Sequence, residues 1–142
     1  MKTINTTTMK NADLIRDTMK TKGPKEALKE LINILFQTYY KIYDLSEFSL
    51  NKMTEGVIKY AVKEERKSNL FTPEDTIIKS IVNNGLSNPK ELLTLWWKRT
   101  IYESTKLAYP EKTEEEVEQL VSETDIKEFR KSLSKKMKSR RY

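Results

Sequence analysis

Residues 24–44, PKEALKELINILFQTYYKIYD, decide the fold class. A step of about 100° per residue puts Ala27, Leu28, Leu31, Ile32, Leu35, Phe36, Tyr39, Ile42 and Tyr43 on one broad face. A helix with so wide an apolar face needs other helices to cover it. Gly23 permits a break before it, and Pro24 suits its first turn because the missing N–H has no intrahelical partner there. The spacing sends Tyr39 and Tyr43 to the core and turns Tyr40 about 100° away.

The flanking sequence repeats this pattern. Leu14, Ile15 and Met19 give a short helix over 11–20 with Asn11 as its cap, and residues 1–10 read as a flexible arm lacking the apolar segment of a secretory signal. Ser49 or Asn51 caps a helix running to about Ser68, with Met53, Val57, Ile58 and Ala61 inward. Thr72 and Asn88, each followed by proline, mark two further starts, and Gly85 is placed to end the helix between them. The helix over 89–108 buries Leu92, Leu93, Trp96, Trp97, Ile101 and Ala108, although adjacent tryptophans cannot both face the centre of one stripe. Pro110 stops it. Thr113 and Glu116 form a capping box ahead of Val117, Leu120 and Val121. A last helix starts near Thr124 and aligns Ile126, Phe129, Leu133 and Met137. The expected architecture is all-α: a compact antiparallel multi-helix bundle forming one domain over 11–142, with a C-terminal helix free to project.

Composition narrows the chemistry. The 142 residues include no cysteine and no histidine, so disulfides, ordinary structural zinc sites and histidine acid–base catalysis are excluded. No glycine-rich phosphate loop and no cofactor motif occurs, which favours a binding protein over an enzyme. Mean hydropathy is -0.72, and no apolar run reaches the roughly 20 residues that span a bilayer. An intracellular location is the simpler expectation. Glu111, Glu114, Glu115 and Glu118 have the carboxylates to hold magnesium or calcium, but capping and surface solvation explain the same stretch.

Charge is the informative feature. Residues 129–142 carry seven basic side chains and no acid, whereas 111–128 hold eight acids against two lysines. So dense a positive block is held more easily against something negative. Lys127, Lys131, Lys135 and Lys138 form a stripe on the last helix, with Arg140 and Arg141 beyond it. Lys52, Lys59, Lys63, Arg66 and Lys67 form a second stripe on the helix after residue 49. These two are the candidate nucleic-acid-binding residues, meeting DNA or RNA phosphates without reading bases. Leu95, Trp97, Lys98, Arg99, Tyr102 and Lys106 form a candidate partner-binding face, on which Tyr102 would stack on an unpaired base.

The favoured expectation is a small basic protein that coats, organises or packages nucleic acid, with the acidic segment meeting another copy in a homo-oligomer. The alternative is a regulator that binds an acidic protein surface and blocks a cleft of a nucleic-acid-processing enzyme such as RNA polymerase. Membrane attachment through the last amphipathic helix is the weakest partner expectation.

Overall fold

A computed structural model describes the backbone of residues 2–139 and the side chains of residues 11–132. Among them are seven helices and no strand: α1 Lys2–Lys22, α2 Pro24–Tyr40, α3 Glu47–Arg66, α4 Glu74–Ser87, α5 Pro89–Ala108, α6 Glu114–Glu123 and α7 Ile126–Ser139. The all-α bundle expected from the periodicity is therefore what forms. The chain divides into two units, one up to Leu95 and one from Trp96 on, with the boundary inside α5.

In the first unit α2 is the central helix and packs against α1, α3 and α4. Its buried residues are Ala27, Leu28, Leu31, Ile32, Leu35 and Phe36, all on the expected face. Each large side chain buried this completely contributes about 1.5–3 kcal/mol of transfer free energy. α1 buries Ala12, Ile15 and Thr18, while Leu14 is half exposed, contrary to its expected place on the inner side. The Thr18 hydroxyl donates to Glu30 Oε2 at 2.7 Å, tying α1 to α2. Helical backbone starts at Lys2, so Asn11 lies inside α1 instead of capping it.

α2 ends earlier than its apolar pattern. Lys41 adopts φ 57°, ψ 33°, its N–H donates to Gln37 O, and the Ile42 N–H donates to Phe36 O. This left-handed stop takes Ile42 and Tyr43 off the helix. Tyr43 is 67% exposed and Tyr39 45%, so neither joins the core as the periodicity predicts. Tyr40 instead packs edge-on against Phe36, with ring centroids 5.3 Å apart.

Ser46 caps α3, its hydroxyl accepting from the Ser49 N–H at 3.1 Å, so the cap lies three residues ahead of Ser49 and five ahead of Asn51, the two expected positions. Thr72 does not cap α4: Pro73 holds the cap position, and the Thr72 hydroxyl turns to Glu65 Oε1 at 3.4 Å. Gly85 does not end α4 either. It is helical and buried, and a Cβ there would stand 3.0 Å from Leu31 Cδ2 and 3.1 Å from Leu92 Cδ2. Glycine at this position lets α4 approach both leucines.

The second unit holds the remainder of α5 with α6 and α7. Ile101, Tyr102, Val117 and Val121 are buried. Ala108 is exposed, although the periodicity placed it inward. The expected capping box forms: Thr113 Oγ1 accepts from Glu116 N–H at 3.2 Å, and Glu116 Oε1 accepts from Thr113 N–H at 3.0 Å. Asp125 caps α7, accepting from the Lys127 N–H at 2.9 Å. Trp96 and Trp97 stand almost perpendicular, 4.7 Å apart, and Phe129 meets the edge of Trp97 at 6.1 Å.

Candidate nucleic-acid interface

Two carboxylates of α3 are offset by lysines of α2. Glu47 pairs with Lys29, and Glu55 pairs with Lys25. The hydrogen bond to Glu47 holds the Lys29 ammonium above its usual pKa against the desolvation of partial burial, with Glu26 at 3.1 Å adding to the effect. Two of the helix's carboxylates are thereby neutralised within the fold. Lys52 and Lys59, seven residues apart and on one face, remain exposed. The Lys52 ammonium lies 4.8 Å from the Phe48 ring centroid.

The rest of the stripe has other engagements. Lys67 pairs with Glu64 at 2.9 Å, and Lys63 is half buried. Arg66 departs most from expectation: its Nη1 donates to Leu70 O at 2.7 Å and to Thr72 O at 2.9 Å. Once α3 ends, these loop carbonyls have no helical N–H to accept from, and the guanidinium supplies the missing donors. Arg66 therefore fastens the α3–α4 loop, whose Leu70 and Phe71 are 66% and 91% exposed. A cleft of about 410 Å³ beside that loop is lined by Glu64, Glu65, Thr76, Ser80, Asn84 and Leu95, among others. The two carboxylates in its wall make it unsuited to a polyanion.

On α7, Lys127 and Lys131 are exposed, and Lys131 Nζ is 3.9 Å from Glu128 in a loose i,i+3 pair. The Arg130 guanidinium sits 5.5 Å from the Trp97 ring centroid. The side chains of Lys135 and Lys138, and Arg140 and Arg141 altogether, lie outside the described residues.

The candidate partner face of α5 does not form as a continuous exposed surface. Tyr102 is buried, its hydroxyl donates to Glu114 Oε1 at 2.8 Å, and the Lys106 ammonium lies 5.3 Å from its ring centroid. Tyr102 is thus withdrawn from base stacking, its phenol held by a carboxylate of α6 and its ring met by Lys106. Leu95, Trp97 and Arg99 are half buried, and Lys98 is exposed. Arg99 Nε is buried with no hydrogen-bond partner among the described residues.

Glu114 and Glu116 are committed to Tyr102 and to the α6 cap, and among the described residues no three acidic groups converge on a point that would hold a metal ion. The backbone N–H of Thr113 is the main cause that lowers the Glu116 carboxyl pKa from its ordinary value. Among the described residues no helix is long and apolar enough to cross a membrane.

The helical wheel assigned Tyr39 and Tyr43 to the core and gave Phe48 no role, yet all three rings are exposed, Phe48 by 69%. The signal that would have found the tyrosines is the chain reversal at Lys41, which the sequence does not announce with glycine or asparagine. Comparison with protein-family models, with curated proteins and with solved structures finds no match for this chain.

Proposed function

We propose that the protein binds nucleic acid through backbone phosphates and serves a structural role, coating or packaging the polymer without reading its sequence. The observation that carries this reading is the charge arrangement on α3. Glu47 and Glu55 are drawn into pairs with α2 lysines, while Lys52 and Lys59 remain exposed in line. Lys127 and Lys131 are exposed on α7, and the sequence continues into further basic residues without an acid. Repeated cations on helix faces suit a repeated anion, and such contacts favour backbone over base edges.

Four phosphate contacts from these lysines give a slope of log K against log salt of about -3 to -4 on duplex DNA. Fluorescence anisotropy with labelled duplex DNA and RNA across a salt series measures that slope. Neutralising Lys127, Lys131, Lys135, Lys138, Arg140 and Arg141 together should weaken binding while leaving helicity intact. Unchanged affinity would remove the terminal block from the proposal.

The exposed pair Leu70 and Phe71 favours a second reading, a regulator that docks on another protein. Negligible affinity for DNA and RNA at low salt, with tight binding to an acidic protein, selects that reading.

A further inference from the structure

We infer that the α2–α3 connection is a stacking platform for unpaired bases, so that the preferred polymer is single-stranded. This inference rests on the phosphate-binding reading above and adds to it the kind of nucleic acid bound and a site that charge alone does not indicate.

Three aromatic side chains within residues 39–48 are exposed: Tyr39 by 45%, Tyr43 by 67% and Phe48 by 69%. Exposed aromatic faces are surfaces on which successive bases can stack. Their placement follows from the backbone. The left-handed residue Lys41 ends α2, and the Lys29–Glu47 pair brings the first turn of α3 beside the N-terminal half of α2. The connection therefore runs back along α2. Tyr39 is ten residues from Lys29, about 15 Å of helix, so Tyr39 and Phe48 lie at different levels along α2.

The surrounding charge suits a polyanion. Lys41, Lys52 and Lys59 are exposed, and Lys52 lies over the Phe48 ring. Glu47 and Glu55 are already paired with lysines of α2, leaving Asp44 as an exposed carboxylate on the connection. Cations beside exposed aromatic faces are the combination that holds a strand without sequence preference: lysines take phosphates, and rings take base faces. A duplex offers the phosphates but keeps its base faces inside the stack, so the rings discriminate between the two forms.

The test compares a labelled 20-nucleotide (roughly two turns when paired) oligothymidine with a duplex of equal length, by fluorescence anisotropy at fixed low salt. Wild-type protein should bind the single strand more tightly. Tyr43→Ala and Phe48→Ala should each weaken single-strand binding about 10-fold, leave duplex binding within about 2-fold, and leave the far-ultraviolet circular dichroism unchanged. Phe48→Tyr should restore the affinity, since it keeps the ring. Asp44→Asn should strengthen binding to both forms. Equal affinity for both polymers, untouched by the alanine substitutions, overturns the platform while leaving phosphate binding intact. No binding of either polymer overturns the phosphate-binding reading itself. Loss of self-association in the alanine variants, with oligonucleotide affinity unaltered, reassigns the rings to a contact between copies of the chain and overturns the inference.

Discussion

Gly23 joins α1 to α2 at φ 96°, ψ 167°, a region essentially reserved for glycine, in which a residue carrying a Cβ is strained by about 1–3 kcal/mol. A Cβ built there meets no atom within 4 Å, so crowding adds nothing and the penalty is that of the backbone alone. Gly23→Ala also restricts the unfolded chain, which favours folding by about 0.4–1 kcal/mol. Taken at their midpoints, the two effects leave a loss of about 1.3 kcal/mol. In a unit the size of the first, each kcal/mol corresponds to about 4–8 °C in Tm. Urea and thermal unfolding followed by circular dichroism should show a lower midpoint with an unchanged urea m-value, since neither end state changes its exposed surface much. A variant at least as stable as the parent would refute the reasoning, because the chain would then pass residue 23 in an ordinary conformation.

Lys41→Gly should act in the opposite direction, raising stability by up to about 1 kcal/mol, because left-handed φ strains lysine more than the added freedom of glycine favours unfolding; a lower urea midpoint contradicts this. Tyr102→Phe should cost about 1 kcal/mol through loss of the 2.8 Å bond to Glu114, read by tryptophan-detected denaturation. Arg66→Ala should leave the global transition nearly unchanged but speed proteolysis within residues 67–73, since two loop carbonyls lose their donor. The lowered pKa of Glu116 stabilises the fold above the unfolded value of 4.5, and the contribution disappears as pH falls through the lower folded value. Glu116→Gln should therefore lose less stability than the parent between neutral and acid pH, as measured by the shift in urea midpoint.

The elements best read from sequence are those bounded by strong local chemistry. α5 runs from Pro89 to Ala108 as expected, because Pro89 begins it and Pro110 forbids continuation. The α6 capping box is local and forms as read. The errors lie where a distant contact decides. Gly85 resembles a helix end, but Leu31 and Leu92 press against its missing Cβ. Tyr102 looked outward on a helical wheel, which knows nothing of Glu114 twelve positions on. The same limit governs the candidate interface. Lys52 and Lys59 of the α3 stripe are exposed as periodicity suggests, but the capture of Arg66 by the loop carbonyls and the pairing of Glu47 and Glu55 with Lys29 and Lys25 depend on chain packing that one helix face does not encode. The exposed rings were hidden by a periodicity that runs on after the α2 backbone has turned.

Both tryptophans of the chain belong to the second unit, where they stand nearly perpendicular to one another with Phe129 and Arg130 against Trp97. Their emission is consequently a built-in probe of α7: undocking that helix removes a ring and a guanidinium from one indole, while the first unit contributes no indole signal. Far-ultraviolet dichroism sums over every helix. Melting curves recorded by the two optical signals coincide if the protein unfolds in one cooperative step and separate if its halves melt independently, with no label attached.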